Sequence, residues 1–326
     1  MKVLVTGGTG FIGSSLIEHL LRWKYEVVCL AKDKMYACDF PDSQVRTVIA
    51  DINKCDHWQE ILDDIDLVYH LAGVTRARNN HDYYSGNVET TRNFLQACVK
   101  YGRKVRRFVY VSSLTAVGPS QDGQPVDEST EPHPVSDYGR SKMMAEKVIN
   151  ENHDHLPVTI VRPSAVYGPR DRDMYTYFQL ISHGVHPIIG FQRKQLNLIF
   201  VEDLVQGIIL AGEHPAAEND TFFLGSCRGY SNEQIGEAIA NVIRIQPLQF
   251  HLPHALIYGV GAIAEFLGKF SRRQVFFNLQ KAREAVQNVW DCSIDKACHK
   301  LGFIPGVSLA DGMQTTYDWY LKNKWL

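Results

Sequence analysis

The sequence predicts an α/β fold: a doubly wound parallel sheet followed by a smaller, mostly helical C-terminal region. Three observations predict it. Short apolar, β-branched runs alternate with longer stretches of helical periodicity through the first half of the chain. A glycine-rich turn follows the first of these runs directly, and the pattern beyond residue 226 is mainly helical with scattered prolines. Alternating strands and helices favour a parallel sheet that helices cover on both faces.

Each element follows from its local pattern. Strands are expected at residues 3–6, 26–31, 45–50, 66–72, 107–112 and 157–162. Helices are expected near residues 11–23, 55–63, 83–101 and 138–153, and residues 198–211 are expected to form a short strand and a helix. Ligands of such sheets bind beyond the carboxyl ends of the strands. The motifs at those ends therefore carry the functional interpretation.

Composition excludes several classes of function. The 326 residues include 45% hydrophobic and 21% charged residues, and the formal charge of -2 gives no reason to expect a nucleic-acid partner. No run reaches the roughly 18 apolar residues of a transmembrane helix. The 7 cysteines show no metal-ligand spacing, so we expect no metal site and a cytoplasmic protein with reduced thiols.

The glycine-rich turn TGGTGFIG, at residues 6–13, lies between the first strand and the first helix. Gly7, Gly10 and Gly13 lie where the chain must turn tightly, let a pyrophosphate approach the backbone, and pack helix against strand. The N-terminus of the helix also offers N–H groups to an anion. The motif in this position predicts a dinucleotide-binding domain over residues 1–168, with 198–225 returning to it, and a substrate-binding region over 169–326.

The end of the second strand bears on the choice of dinucleotide. An NAD site usually has an acid there, whereas this chain has Ala31 and then Lys32, whose charge suits the 2′-phosphate of NADP. Because Asp33 is adjacent, a merely solvated Lys32 and an NAD site stay open as alternatives. Asp51 and Ile52 are expected near the adenine. Leu71, Ala72 and Gly73, at the end of the fourth strand, are expected to pass close to the cofactor.

The segment YGRSK places Tyr138 one helical turn before Lys142, on the same helix face. A free phenol has a pKa near 10, and positive charge from Lys142 and from an oxidised nicotinamide is expected to lower the pKa of Tyr138. Ser113 follows the fifth strand and is expected to hydrogen-bond a substrate oxygen. A second pair of this spacing, Tyr320 and Lys324, has no partner at a strand end, so we interpret it as a packed ring beside a solvated lysine.

Taken in order, these motifs resemble the extended short-chain dehydrogenase/reductase family, also called the NAD-dependent epimerase/dehydratase family, whose fold is the NAD(P)-binding Rossmann fold. The resemblance includes HLAG at 70–73, Asn87, YVSS at 110–113 and VRPSAVYGP at 161–169, and it covers residues 1 to about 215 well. It implies a catalytic set of Ser113, Tyr138 and Lys142. It also implies a cofactor site lined by Gly7, Gly10, Phe11, Ile12, Gly13, Lys32, Asp51, Ile52, Leu71, Ala72, Gly73, Tyr138, Lys142, Pro163 and Val166. A homodimer through the helices near 83–101 and 138–153 is usual in the family.

Departures from the family pattern narrow the expected substrate. Ala165 replaces an asparagine, and Leu196 replaces an arginine, both of which nucleotide-sugar enzymes of the family use as polar contacts. Leu114 and Thr115 follow Ser113, where dehydratases have an Asp-Glu pair. The segment LAKD resembles the reductase branch, which includes dihydroflavonol reductases and relatives of 3β-hydroxysteroid dehydrogenases. We therefore expect an NADPH-preferring oxidoreductase acting on a carbonyl or alcohol, with a nucleotide-sugar epimerase and a non-catalytic NAD(P)-binding regulatory protein as alternatives.

Two features stay open at this level. An apolar stripe at helical spacing fits a pocket wall, a partner helix, a membrane surface or ordinary core packing; it consists of Leu256, Val260, Ile263, Leu267 and Phe270. Arg170, Arg172 and Asp173, after the YGP turn, are expected near the mouth of the cleft, either solvated or in contact with substrate.

Overall fold

The structure of the protein is a computed structural model, and it describes residues 1–32, 44–77, 79–268 and 278–326. Its strands are β1 (Lys2–Thr6), β2 (Glu26–Ala31), β3 (Val45–Ile49), β4 (Leu67–His70), β5 (Arg107–Val111), β6 (Val158–Pro163), β7 (Ala165–Tyr167), β8 (Val185–Ile189), β9 (Gln195–Leu196), β10 (Leu198–Phe200), β11 (Asp220–Leu224), β12 (Leu248–Leu252) and β13 (Val289–Trp290). Its helices are α1 (Phe11–Arg22), α2 (Trp58–Leu62), α3 (Asn80–Tyr84), α4 (Thr90–Tyr101), α5 (Asp137–Asn150), α6 (Arg172–Ser182), α7 (Val201–Glu213), α8 (Asn232–Ile243), α9 (His254–Gly268), α10 (Leu279–Ala285), α11 (Asp295–Leu301) and α12 (Leu309–Lys322).

The main sheet joins seven of the described strands, all parallel, in the order β11-β6-β5-β4-β1-β2-β3. The order reverses between β1 and β4, because β1 pairs with β2 on one side and with β4 on the other. This reversal creates a crevice at the carboxyl ends of those strands, where ligands of doubly wound sheets bind. The predicted fold class is confirmed.

Alternation along the strands gives the sheet two buried faces. In β1, Val3 and Val5 join the core cluster that includes helices α1 and α7, whereas Leu4 joins the cluster on the opposite face, with α2, α4 and α5. Successive side chains of a strand point to opposite faces, so an uninterrupted apolar run marks a strand with helices on both sides. All three residues are fully buried.

The helix expected over residues 83–101 is divided into three segments. Between α3 and α4, residues Ser85–Glu89 form a single turn of π-helix. Gly86 in this turn lies so close to Val74 that an added Cβ would be 2.3 Å from a methyl carbon of that valine. Extra-residue turns of this kind in α-helices often mark functional sites. Helical periodicity alone does not predict the insertion.

The C-terminal region contains short strands that the sequence analysis did not predict. Three two-stranded parallel sheets pair β10 with β7, β12 with β8, and β13 with β9 within the described residues. Strands of two to five residues are too short to show a clear alternation, and Pro187 interrupts the pattern in β8. Residues of α7 and β11 lie with the main sheet, while the division of the chain at residue 168 stays a prediction.

Helix α9 carries the apolar stripe that the sequence left open. Leu256, Val260 and Ile263 have exposed fractions of 48%, 47% and 63%, so core packing is the wrong explanation for these three. The buried positions of the helix are instead Ile257 and Gly261, which face α10. The remaining stripe positions, 267 and 270, lie outside the described side chains. No helix among the described residues has the length and apolar character needed to cross a bilayer.

Candidate active site

The structure brings Ser113 and Tyr138 together at the carboxyl edge of the sheet. Ser113 follows β5 and caps a short turn, and Tyr138 lies in the first turn of α5, which Ser136 caps through its side chain. The Ser113 side chain is within hydrogen-bonding reach of the Tyr138 phenol. Thr115 donates to the Ser113 oxygen from its backbone N–H at 3.1 Å and its hydroxyl at 2.8 Å. Because those donors fill the acceptor positions of Ser113, its own O–H is available to donate.

Lys142 is buried one turn further along α5. Its Nζ donates to the carbonyl oxygen of Val111 at 2.8 Å and to the Tyr110 hydroxyl at 3.2 Å. A Cβ built on Gly73 would be 3.6 Å from this Nζ, so the glycine keeps open the space in front of the ammonium. Burial lowers the pKa of Lys142 to about 8, and nearby Glu146 acts in the opposite direction.

The pKa of Tyr138 differs from the expectation that Lys142 lowers it. Burial raises the pKa of Tyr138 above its ordinary value, the carboxylate of Glu284 raises it further, and the hydrogen bond from Ser113 opposes both. The ammonium of Lys142 is directed to Val111 and Tyr110, as described above. The phenol is therefore protonated at neutral pH in the protein without ligand.

The glycine turn fits a dinucleotide. Gly7 has φ +72°, and an added Cβ would be 2.7 Å from the backbone of Leu71 and Ala72. A Cβ on Gly13 would be 2.2 Å from the carbonyl oxygen of Gly7. Gly10 is the N-cap of α1, and no described side chain caps this helix. The first-turn N–H groups are thus free of a competing side chain, as a bound pyrophosphate requires.

Lys32 and Asp51 lie together at the ends of neighbouring strands. The Lys32 Nζ is 3.8 Å from a carboxylate oxygen of Asp51, and the lysine side chain is 70% exposed. Asp51 also accepts a hydrogen bond from the backbone of Asn53 at 3.0 Å. Ion pairs this exposed contribute at most about 1 kcal/mol, so Lys32 is free to change partner. Asp33 lies outside the described residues.

The segment after β4 is fixed by buried polar groups. The hydroxyl of Thr6 pairs with His70 Nδ1 at 2.7 Å and accepts from the backbone N–H of Ala72 at 3.2 Å. Burial, with a contribution from the charge of Lys142, lowers the pKa of His70 to about 3, so the imidazole is neutral. Asn87, in the π-turn, binds both backbone groups of Val74, through Oδ1 at 2.6 Å and Nδ2 at 3.0 Å.

The remaining predicted cofactor residues border the same edge. Phe11 and Ile12 lie in the first turn of α1, and with Leu71 and Val166 they pack against one core cluster while remaining partly exposed. Ile52 packs in the same way on the opposite cluster, and Pro163 is buried at the end of β6. These residues therefore lie at or shortly after the carboxyl ends of β1, β3, β4 and β6.

A buried ion pair supports the site from behind. Arg162 binds Glu146 through two nitrogens, at 3.0 and 2.7 Å, and both side chains are at most 10% exposed. Ser112 donates to the same carboxylate at 2.5 Å. Glu146 belongs to α5, Arg162 to β6, and Ser112 directly follows β5, so the network links the segments that position Ser113 and Tyr138.

Several site residues were not predicted or were left without a role. Thr115 was noted only as a departure from the dehydratases, although Ser or Thr two positions from a serine is typical of a local turn. Asn87 was noticed only through the family resemblance. No sequence motif pointed to Glu284, because it lies far along the chain from Ser113, Tyr138 and Lys142.

The structure shows the contacts of charged residues after the YGP turn and of the second tyrosine-lysine pair. Arg170 has φ +74° and pairs with Glu18 of α1 at 2.5 Å, and Asp173 pairs with Arg76. Tyr320 of the second tyrosine-lysine pair is buried and donates to the Asp171 carbonyl oxygen at 2.5 Å. The interpretation of Tyr320 as a packed ring is confirmed.

Known proteins resemble this chain over most of its length. The family model "NAD dependent epimerase/dehydratase family" matches residues 3–225. The chain is 28% identical to a ceramide reductase of Caulobacter vibrioides, over 99% of this chain and 96% of that protein. It is 26% identical to an uncharacterized UDP-glucose epimerase, YtcB, of Bacillus subtilis, over 96% of each. A putative dihydroflavonol 4-reductase of Synechocystis is 31% identical over 68% of this chain and 66% of that protein.

Solved structures agree on the fold. The structure of a UDP-glucose 4-epimerase from Thermotoga maritima with UDP-glucose superposes with a TM-score of 0.79, at 23% identity, over 99% of this chain and 100% of that one. At this identity the likeness concerns the fold alone. The range matched by the family model includes the glycine turn and the Tyr-Lys helix. The chain belongs to the NAD-dependent epimerase/dehydratase family.

Proposed function

We propose that this protein is an NAD(P)-dependent oxidoreductase that prefers NADPH and interconverts a carbonyl and an alcohol. One observation carries the proposal: the Ser113 hydroxyl lies beside the Tyr138 phenol, and the Lys142 ammonium follows one turn later, all at the sheet edge that holds the glycine turn. This arrangement supplies a hydrogen-bond donor and a proton donor for one substrate oxygen.

The proposed roles follow from these surroundings. The bound nicotinamide supplies the hydride. Tyr138 would give its proton to the substrate oxygen, and the phenol has this proton to give because it is neutral at physiological pH. Ser113 donates a hydrogen bond to the same oxygen. Lys142, fixed by Val111, holds the cofactor ribose in the space beside Gly73.

The NADPH preference is assigned to Lys32. Its side chain is largely exposed, and its contact with Asp51 is loose, so it is able to bind a 2′-phosphate instead. A phosphate offers Lys32 a stronger charge-assisted contact than the exposed carboxylate does.

An apolar ketone or alcohol is the proposed substrate class. Ala165 and Leu196 remove two polar contacts for a diphosphate, and the full-length likeness to a protein named ceramide reductase supports a carbonyl on an apolar molecule. The main alternative is a nucleotide-sugar epimerase, which oxidises and re-reduces its substrate without releasing NAD. The full-length likeness to YtcB supports that alternative.

One experiment distinguishes the two functions. Purified protein is mixed with NADPH or NADH and either a series of ketones or UDP-sugars, while cofactor absorbance and sugar configuration are followed. The proposal expects net oxidation of NADPH with a ketone, and slower oxidation of NADH. Inversion of a UDP-sugar by retained NAD, with no ketone reduced, would replace the proposal with the epimerase.

We also propose a homodimer formed through α4 and α5, in which these helices of two copies pack together. Val99 and Met144, on these helices, are each 39% exposed. Light scattering after size-exclusion chromatography is expected to give twice the chain mass, and Met144→Glu is expected to reduce it to one. A monomer for the unmodified protein would contradict the proposal.

A further inference from the structure

Helix α10 is fixed against the start of the proposed catalytic helix. Gln280 accepts a hydrogen bond from the backbone N–H of Asp137 at 3.0 Å and donates to the carboxylate of the same residue at 2.5 Å. Asp137 immediately precedes Tyr138. At the other end of α10, the buried Lys194 donates to the carbonyl oxygens of Ala285 and Gln287 at 2.6 and 2.8 Å. Both ends of α10 are thus held, so its side chains keep a fixed position relative to Tyr138.

This helix presents a buried carboxylate to the site. The Glu284 side chain is only 12% exposed, and one of its oxygens, Oε2, accepts from Lys281 Nζ at 2.9 Å. Its other oxygen, Oε1, has no donor among the described residues. The charge of Glu284 acts on both Tyr138 and Tyr83, whose rings are 6.2 Å apart between centroids. Gln280 and Glu284 are one turn apart on α10, so Glu284 lies on the helix face that Gln280 holds against the start of α5, and one of its oxygens is available.

We infer that Glu284 is a specificity-determining residue, which accepts a hydrogen bond from a hydroxyl or amide N–H that the substrate carries next to its reacting carbonyl. The inference rests on the proposed function and deepens it by naming a substrate class. A carboxylate only accepts hydrogen bonds, so it selects a donor. A carboxylate oxygen that a bound substrate covers loses its contact with water, and a ketone without such a donor leaves that oxygen unpaired.

The same position disfavours anionic groups beside the carbonyl. Lys281, the nearest cation on α10, is already paired with Glu284, and Asp173 of α6 also acts on it. A phosphate entering here would face Glu284 and a lysine that is already paired, because the other cation of α10, Arg283, is on the exposed side of the helix. The substrate selected by this site is therefore neutral next to its reacting carbon.

The charge of Glu284 also has a consequence for pH dependence. Among the described residues, the titratable groups that act on Tyr138 are Glu284 of α10 and Tyr83 of α3, and Tyr138 itself acts on Tyr110 of β5. Asp137 and Lys281 act on the neighbouring Tyr83. Because Glu284 raises the pKa of Tyr138, removing its charge lowers that pKa. The limb of the rate profile for carbonyl reduction on which the phenol loses its proton, at higher pH than the loss of the Lys142 proton, then moves to lower pH.

The test compares two neutral ketones of equal chain length, one with a hydroxyl next to the carbonyl and one without. The unmodified protein is expected to favour the hydroxyketone in kcat/KM by at least about tenfold, the usual effect of a hydrogen bond to a charged group. Glu284→Gln is expected to lose most of this preference, mainly through activity on the hydroxyketone, and to shift the limb on which the phenol loses its proton to lower pH. Arg283→Gln, an exposed position of the same helix, is the matched control and is expected to keep both properties.

The outcomes separate this inference from the proposed function. Reduction of neither ketone by the unmodified protein, with NADPH or NADH, would overturn the proposed function. Reduction with the same hydroxyketone preference and pH profile in Glu284→Gln would overturn the role of Glu284 alone. Lys281→Gln provides a second variant that keeps the carboxylate, so the preference is expected to persist in it. Loss of the preference in Lys281→Gln, with the protein folded, would assign selection to the lysine and also contradict the inference.

Discussion

The ammonium of Lys142 lies 2.8 Å from the backbone carbonyl oxygen of Val111, the last residue of β5. This hydrogen bond ties the Tyr-Lys helix to the strand that ends just before Ser113. Lys142 as a whole residue is 4% exposed. One interaction therefore both positions the site and leaves a charge buried.

The buried ammonium predicts a stability that depends on pH. The pKa of Lys142 is lowered to about 8 in the folded protein from 10.5, so the unfolded chain binds more protons between these values and the unfolding free energy rises with pH there. Lys142→Met has no ammonium at this position, so its unfolding free energy lacks this pH-dependent contribution. The unfolding free energy of the unmodified protein minus that of the variant is expected to rise by up to about 3 kcal/mol across this window. Urea unfolding at pH about 7 and about 10.5 measures it, and an unchanged difference would contradict the lowered pKa.

The glycine turn predicts a loss of cofactor binding when it is filled. Gly13→Ala would place a Cβ 2.2 Å from the Gly7 carbonyl oxygen, which requires the turn to move. We expect NADPH affinity to fall by at least about tenfold, measured by fluorescence titration. Gly259→Ala in α9, where nothing lies within 4 Å, is the control and is expected to bind NADPH normally. Equal affinity in both variants would show that the turn does not hold the cofactor.

The positive charge of Lys32 predicts a preference for NADPH over NADH. Lys32→Asp replaces a cation with an acid that repels a 2′-phosphate, so kcat/KM for NADPH is expected to fall while that for NADH is kept or raised. The exposed Lys54, beyond β3, provides the matched variant Lys54→Asp. If both variants leave the ratio of NADPH to NADH rates unaltered, Lys32 does not determine the cofactor preference.

The buried pair of Arg162 and Glu146 predicts an asymmetric mutational cost. Arg162→Leu leaves the carboxylate buried without its partner and is expected to destabilise the protein by about 3–5 kcal/mol. The double variant Arg162→Leu with Glu146→Leu removes the stranded charge and is expected to recover most of this loss. Urea unfolding of the three proteins provides the measurement, and a single variant as stable as the unmodified protein would refute the account.

The main sheet could be predicted because its strands are buried on both faces. Between their first and last residues β1, β2 and β5 are entirely apolar, and the glycine turn fixes where the first crossover begins. The π-turn could not be predicted, because it depends on contacts of Gly86 and Asn87 with Val74, which are tertiary. Very short strands such as β9 and β13 are defined by their partners rather than by their own pattern.

The candidate site was predictable where its residues follow strand ends. Ser113, Tyr138 and Lys142 were named from spacing and position, and the structure brings them to one edge. The pKa of Tyr138 was not predictable, because burial and Glu284 act on it and both arise from the folded chain. The position of Glu284 depends on the placement of α10, whose two ends hydrogen-bond Asp137 and Lys194.

The central claim is that the Tyr138 phenol protonates a substrate oxygen as hydride is transferred. The most direct measurement is a single turnover of bound NADPH with a ketone, comparing the unmodified protein with Tyr138→Phe. We predict that the variant binds NADPH with unchanged affinity and oxidises it at least about a hundredfold more slowly, the usual contribution of a positioned acid. Oxidation at an equal rate in Tyr138→Phe would contradict the account.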